Sequence, residues 1–148
     1  MFSKIIVGFD GSVSSKNALL MACDLAGKYG SELHIVHSVQ TQTMAFTMGA
    51  VGGYDAVTMV PDREALDEAA NSLLAEARDI ARASGQPDAK THIGHSDPAE
   101  DLLTCAMSEG ADLIVTGRRG LGNVSSLLLG STSRKVSHES KCAHLTVA

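Results

Sequence analysis

The chain has 148 residues, 44% of them hydrophobic but only 3% aromatic, with a formal net charge of −5. This length suits one domain spanning 1–148 around an aliphatic core, and the negative charge argues against a duplex nucleic-acid ligand. Because no apolar run approaches the ~18 residues of a membrane span and the apolar start is too short for a secretory leader, we expect a cytoplasmic protein without a membrane partner.

The first third of the chain alternates a strand pattern with a helix pattern. Residues 4–9 form a nearly continuous apolar run that ends at Asp10, which predicts a buried parallel strand followed by a turn. Apolar residues recur at helical spacing over 12–29, and Gly30 stands where a C-terminal cap is expected. A second strand is predicted over 33–39.

The apolar residues of segment 40–60 recur with neither the helical nor the strand period. The segment combines methionines, a phenylalanine and three glycines, and a loop of this length in a compact domain is usually a lid, a partner surface or disordered. The apolar content favours a flexible but partly ordered flap over full solvation. Docking to a membrane surface is the weaker interpretation, because no basic amphipathic pattern is present.

The remainder of the chain continues the alternation. A helix is predicted over 62–83, with a core stripe of Leu66, Ala69, Leu73, Ala77 and Ile80. The later elements are a strand over 89–95, a helix from Asp97-Pro98 to near Gly110, a strand over 112–116, a helix over 131–139 and a strand over 143–147. Alternating strands and helices predict an α/β fold with one open five-stranded parallel sheet, order 3-2-1-4-5, and helices on both faces.

In such a sheet, ligands bind beyond the carboxyl ends of the strands, where the strand order reverses. Asp10 ends the first strand and Gly117 ends the fourth, so both are predicted to face one crevice.

A glycine-rich segment follows the fourth strand. Gly117-Arg-Arg-Gly120 is separated by nine residues from Gly130-Ser131-Thr132-Ser133, which opens a helix. Glycines let backbone N–H groups approach a phosphate, and a helix N-terminus adds unpaired donors and a favourable dipole. The basic pairs 118–119 and 134–135 flank this loop, an arrangement that suits a small polyphosphate. A simple strand–helix connection is the alternative.

The same segment argues against fast phosphoryl transfer. No Gly-Lys-[Ser/Thr] follows the glycines, so this is not a Walker A loop, and the lysine that would stabilise a transferring phosphoryl group is missing. No general base is evident either. Slow hydrolysis would need only positioning and Mg²⁺.

The spacing of the cysteines and histidines along the chain predicts no metal site. Cys23, Cys105 and Cys142 are far apart and odd in number, which predicts reduced thiols and neither disulfides nor a zinc site. The histidine pairs 34/37 and 92/95 are each three residues apart, so the two side chains of a pair point to opposite faces of a strand. Pairing of His37 with His92 or His95 across strands is the one alternative to ordinary core or surface histidines.

The whole chain resembles the universal stress protein family. The matching motifs are Val7-Gly-Phe-Asp10-Gly-Ser12, His37, Gly94-His-Ser-Asp97-Pro98-Ala-Glu100, Gly110-Ala-Asp-Leu-Ile-Val115 and Gly117-x2-Gly120-x9-Gly130-Ser131. In this family the last spacing marks members that bind ATP.

The resemblance implies a role for each matching position. Asp10 is expected in the adenosine part of the pocket, and the Ser38 backbone is expected to meet the base. Ribose and phosphates are expected to contact Gly117, Gly120, Gly130, Ser131, Thr132 and Ser133. The hydroxyls of Thr132 and Ser133 are able to donate to phosphate or bind Mg²⁺. The family motif leaves positions 118 and 119 free, but the charge of Arg118 or Arg119 is able to offset that of a phosphate.

The resemblance also implies an assembly. In the family the last strand commonly pairs with its counterpart in a second subunit, which predicts a homodimer through the C-terminal edge strand. This chain departs from the family with Lys141-Cys142-Ala143 in place of Pro-Cys-Pro, and with His144 and Thr146 in that strand. The implied function is a nucleotide-dependent stress-response regulator that binds ATP with Mg²⁺ and acts on an unknown protein partner. The alternatives are a nucleotide-free interaction module and a weak ATPase.

Overall fold

Strands and helices alternate along the chain as predicted. A computed structural model describes residues 1–39, 62–121 and 129–148. The elements are β1 (Lys4–Gly8), α1 (Val13–Tyr29), β2 (Glu32–Ser38), α2 (Arg63–Ala83), β3 (Lys90–Gly94), α3 (Pro98–Glu109), β4 (Leu113–Gly117), α4 (Ser131–Glu139) and β5 (Ala143–Val147). Each end lies within one residue of its predicted place. The predicted flap over 40–60 lies outside the described residues.

The strands form one parallel sheet in the order β3-β2-β1-β4-β5, which confirms the predicted topology. β1 is central, and Val7 pairs with Ile35 on one side and with Val115 on the other. The chain moves outward from β1 to β3 and then returns to the other side of β1 for β4. The strand order therefore reverses between β1 and β4, which is where ligands bind in open α/β sheets.

The sheet carries a core on each face. One face packs under α1 and α2 and is the larger aliphatic cluster, while the other packs under α3 and α4.

The predicted stripe on α2 is wrong in part, because the buried positions are Leu66, Ala70, Leu74, Ala77 and Ala81. Leu73 and Ile80 are only partly buried. Two adjacent series of Ala and Leu fit the helical period equally well, and only packing selects between them.

Local capping explains where two of the helices begin. The Ser12 hydroxyl accepts a hydrogen bond from the Ser15 amide at 3.2 Å, which caps α1. Asp97 caps α3 by accepting from the Ala99 and Glu100 amides, and Pro98 occupies the first helical position, as predicted.

Within the described ranges, no helix combines the length and apolar character needed to cross a membrane.

Candidate functional site

The structure brings Asp10 and the glycine loop together at the reversal of strand order. Asp10 follows β1 and Gly120 follows β4, so both stand beyond the carboxyl ends of adjacent strands. A Cβ built on Gly120 would lie 2.8 Å from Asp10 Oδ2, which places this carboxylate directly against the loop backbone. The predicted juxtaposition of Asp10 with the loop is therefore confirmed.

The Asp10 carboxylate is oriented by its own turn. Its Oδ1 accepts a hydrogen bond from the Ser12 amide at 2.9 Å, and the Asp10 amide donates to Ser15 Oγ at 3.3 Å. Gly11 adopts φ 80°, a left-handed conformation that L side chains rarely adopt, and so makes the turn possible. With Oδ1 used inside the turn, Oδ2 faces Gly120 and is placed to accept a hydrogen bond from a hydroxyl donor such as a ribose.

Gly117 serves packing between β4 and α1. A Cβ at this position would lie 2.7 Å from the backbone carbon of Ser14 and 2.9 Å from its carbonyl oxygen. The first turn of α1 therefore occupies the space that any side chain at 117 would need. The resemblance implies a contact of Gly117 with ribose or phosphate, and the close approach of α1 is a separate reason for a glycine at this position.

Backbone hydrogen bonds close the described ends of the loop on each other. The Gly130 amide donates to the Arg118 carbonyl at 2.8 Å, and the Arg118 amide donates to the Val147 carbonyl. The Gly130 amide is thus already paired. The first intrahelical bond of α4 runs from Arg134 N to Gly130 O at 3.0 Å. Within the helix the amides of residues 131–133 have no acceptor, as is usual in a first helical turn, and no backbone acceptor for them lies among the described residues.

A buried hydroxyl network supports the loop from below. Ser133 is 3% exposed, and its hydroxyl donates to the Gly117 carbonyl at 2.7 Å. Since that proton is used, Thr116 is the donor to Ser133 at 3.0 Å, and His144 Nε2–H donates to Thr116 at 2.8 Å. Ser137 Oγ lies 2.8 Å from His144 Nδ1 and completes the network.

Two consequences follow from this network. The Ser133 hydroxyl is occupied inside the protein, so the expected hydroxyl contact with a phosphate or Mg²⁺ falls to Thr132, which is half-buried, and to the exposed Ser131. Burial lowers the pKa of the His144 imidazole and so favours its neutral form, in which Nδ1 accepts a hydrogen bond from the Ser137 hydroxyl.

The basic residues beside the loop do not act as two equal pairs. Arg118, Arg119 and Arg134 are exposed. Lys135 instead reaches α3, where its Nζ lies 2.9 Å from Glu100 Oε1 and 3.3 Å from Asp97 Oδ1. The hydrogen bond to Glu100 is the main cause that raises the pKa of Lys135. The positive charge available to a phosphate is therefore mostly guanidinium.

The end of β2 supplies the third border of the crevice. Ser38 is the last residue of this strand and pairs with Gly94 of β3, half-buried beside β1. Its neighbour His37 donates from Nδ1 to the Phe9 carbonyl at 2.9 Å, next to Asp10. His37 is not among the predicted site residues, although it is one of the positions that match the family, near the end of β2.

The structure does not show the alternative pairing of His37 with His92 or His95 across strands. His37 pairs in register with Ile93, and its ring is hydrogen-bonded to the carbonyl of Phe9, directly after β1. The ring that meets His92 is that of His34, with Nδ1 and Nε2 separated by 2.9 Å. Both rings lie on the face of the sheet that packs under α3, away from the crevice beside Asp10.

Comparisons with known proteins agree with one another. The sequence profile of the universal stress protein family matches residues 1–148. Universal stress protein YxiE of Bacillus subtilis is 34% identical over 154 residues, covering 99% of both chains. A universal stress protein of Thermus aquaticus, named for the QAH/OAS sulfhydrylase 3′ region, is 36% identical over 157 residues with the same coverage.

Solved structures show the same fold. A universal stress protein in complex with cAMP matches with a TM-score of 0.71 at 27% identity, covering 99% of this chain and 97% of that one. The universal stress protein of Archaeoglobus fulgidus in complex with dAMP matches with a TM-score of 0.70 at 22% identity, covering 99% and 98%.

Proposed function

We propose that this chain, which belongs to the universal stress protein family, is a cytoplasmic ATP-binding regulator of the stress response. The observation that carries the proposal is the approach of the Asp10 carboxylate to Gly120 at the reversal of strand order. A nucleotide has two halves, and this crevice offers a partner to each. The carboxylate is able to accept a hydrogen bond from the ribose, and the helix start is able to donate hydrogen bonds to the phosphates.

Each half of the nucleotide has its own residues in the proposed site. Asp10 Oδ2 accepts from the ribose, and the backbone at Ser38 meets the base. The loop backbone at Gly120 and the amides of the first turn of α4 hold the phosphates, with Arg118 as a counter-charge. Thr132 Oγ1 is the hydroxyl proposed to bind the phosphate or the accompanying Mg²⁺.

The ligands of the relatives support the adenine class. One structural neighbour is described in complex with cAMP and another in complex with dAMP. We take ATP as the ligand of this chain because its loop has the spacing of the ATP-binding members. Competition among ATP, ADP and cAMP tests that choice directly.

Isothermal titration of the purified full chain with ATP and Mg²⁺ is the primary experiment. Binding of micromolar order is expected, with Asp10→Ala weakening it about 10- to 100-fold through the lost charge-assisted hydrogen bond. Gly120→Val is expected to abolish binding because its side chain fills the crevice beside Asp10. Asp24→Ala removes an exposed carboxylate of α1 and is the matched control. Absence of binding to any adenine nucleotide, together with no nucleotide released on denaturation, would leave only an interaction module.

Hydrolysis is a secondary candidate. The loop glycines are not followed by a lysine, and Lys135 is engaged by Glu100 and Asp97. We therefore expect phosphate release barely above a protein-free control. Release that is clearly above that control and is lost in Ser131→Ala would make the protein a weak ATPase.

The homodimer is proposed through β5, which is an outermost strand among those described. The polar residue His144 does not oppose this, because its ring bonds to Thr116 and Ser137 within the same chain. Sedimentation velocity is expected to show a dimer, and a monomer at all accessible concentrations contradicts it.

The regulated partner is proposed to contact the segment over 40–60.

A further inference from the structure

Three metal-ligating side chains converge beneath β2 and β3, far from the nucleotide crevice. The imidazoles of His34 and His92 and the thiol of Cys105 each offer one ligand atom, and these atoms all lie within 4.8 Å of one another. His34 is fully buried at 0% exposure, and Cys105 on α3 is 9% exposed. The three residues come from three different elements, so their meeting is a product of the fold alone.

The buried histidine is held in one tautomer by a carboxylate. His34 Nε2 lies 2.7 Å from Glu32 Oε1, and since an ionised carboxylate only accepts, Nε2 carries the proton. Glu32 is itself paired with Lys90 Nζ. In the neutral tautomer that carries this proton, the Nδ1 atom of His34 is a lone pair 2.9 Å from His92 Nε2. A carboxylate that orients a histidine in this way is the usual second layer of a metal-ligating imidazole.

The two imidazoles share one proton. Their Nδ1 and Nε2 atoms are 2.9 Å apart, the ring planes differ by 10° and the ring centroids are 5.1 Å apart. These values describe rings that meet edge to edge through a single N–H···N hydrogen bond. In a tetrahedral site the two nitrogens stand about 3.3 Å apart. Because the two nitrogens point at each other, a tetrahedral ion requires the ring of His92, which is half-buried on the edge strand β3, to turn away from that of His34.

We propose that His34 Nδ1, His92 Nε2 and Cys105 Sγ bind a Zn²⁺ ion. Two imidazoles and a thiolate form a donor set that suits this borderline-soft ion, and they disfavour hard ions such as Mg²⁺. The His92 proton moves to its own Nδ1, and the Cys105 thiol releases its proton to solvent. This site is distinct from the adenine nucleotide site and does not depend on it.

A surface cavity gives the ion access and a fourth position. It has a volume of about 200 Å³ and is lined by His92 and Cys105 together with Thr104, Ser108 and Asp101. Three protein ligands with an open fourth position leave room for a water or an exchangeable ligand. The ion would tie the edge strand β3 to α3.

The chain contains a matched control for the thiol. Cys23 and Cys105 are both buried, and burial raises the pKa of each thiol to about 11. Cys23 lies in the aliphatic core under α1 and α2. Replacing either cysteine with alanine removes a buried thiol of the same kind, but only Cys105→Ala removes a proposed ligand.

Cobalt titration of the chelator-treated full chain, freed of nucleotide, tests the proposal. Co²⁺ is expected to give a thiolate-to-metal charge-transfer band at one equivalent per chain, and Zn²⁺ is expected to displace it while Mg²⁺ does not. Cys105→Ala is expected to lose the band and Cys23→Ala to keep it. Zinc affinity, measured against a chromophoric chelator, is expected to fall about 100-fold or more in Cys105→Ala, since loss of a second-layer partner alone costs about 10- to 100-fold.

His92→Gln keeps the test decisive if Cys105→Ala does not fold. This substitution lies on a half-buried position, and circular dichroism verifies its fold. It is expected to weaken Zn²⁺ binding to a similar degree. The proposal is overturned if the wild-type chain fails to compete with the chelator for Zn²⁺, or if Cys105→Ala and His92→Gln, both folded, bind Zn²⁺ as tightly as wild type.

Discussion

Replacement of Gly117 by alanine tests whether this glycine serves the packing of β4 against α1. The added Cβ would lie 2.7 Å from the Ser14 backbone carbon, 2.8 Å from the Ser14 Cβ and 2.9 Å from the Ser14 carbonyl oxygen. Backbone atoms cannot swing aside as a long side chain can, so the first turn of α1 or the end of β4 has to move. Overpacking of this kind costs about 1–3 kcal/mol.

An opposing term reduces that cost. Alanine has fewer unfolded conformations than glycine, which stabilises a protein by about 0.4–1 kcal/mol where the native backbone accepts it. The net expectation for Gly117→Ala is a loss of about 1–2 kcal/mol in the free energy of unfolding. Gly120→Ala is the matched control. Among the described residues, its Cβ would meet the Asp10 carboxylate, which is the end of a side chain and is able to move, and a change within about 0.5 kcal/mol is expected.

The free energy of unfolding of both variants is measured by urea denaturation. The transition is followed by far-ultraviolet circular dichroism, because the chain has no tryptophan for fluorescence. Gly117→Ala is expected to lower the denaturation midpoint at an unchanged slope. If Gly117→Ala is as stable as wild type, or if Gly120→Ala loses as much stability as Gly117→Ala, the packing role assigned to Gly117 is refuted.

Two further predictions concern the hydroxyl network beneath the loop. Ser133→Ala removes the acceptor of Thr116 and the donor to the Gly117 carbonyl. We expect this substitution to lower the free energy of unfolding, measured by thermal denaturation, by about 1–3 kcal/mol. Substitution of the exposed residue in Ser131→Ala is expected to change it by no more than about 0.5 kcal/mol. Equal stability of the two variants would contradict the network. Burial lowers the pKa of His144 in the folded chain, so the unfolded chain takes up its proton at the higher pH and stability falls as the pH drops below about 6.5. His144→Gln is expected to flatten that part of the pH profile in urea denaturation, and an unchanged profile would argue against the neutral histidine.

Local signals explain why the elements were predictable. The continuous apolar runs of β1 and β4 are typical of strands buried on both faces, and Asp97-Pro98 marks the start of α3. The alternation of strand and helix then restricts the topology to a parallel sheet, and the strand order places Asp10 opposite the loop. The α2 stripe was less predictable, because Leu73 and Leu74 both fit the helical period and only the packing partner distinguishes them.

Within the candidate site, the sequence predicted which residues meet but not what each atom does. Ser131, Thr132 and Ser133 are similar in chemistry and adjacent in the chain. The helix turns Ser133 inward, where its hydroxyl bonds to Gly117, and leaves Ser131 exposed. Gly117 and Gly120 likewise look equivalent in a motif, but one faces the backbone of α1 and the other faces a carboxylate.

The sequence by itself determined the family, the alternation of elements and the shared crevice of Asp10 and the glycine loop, because these depend on periodicity and motifs that are local in the chain. Only the tertiary structure decided that His34, His92 and Cys105 meet. Their spacing carries no metal-binding pattern, since each ligand comes from a different element. The register of β2 against β3 and the packing of α3 on that face bring them together, and neither can be read from local sequence.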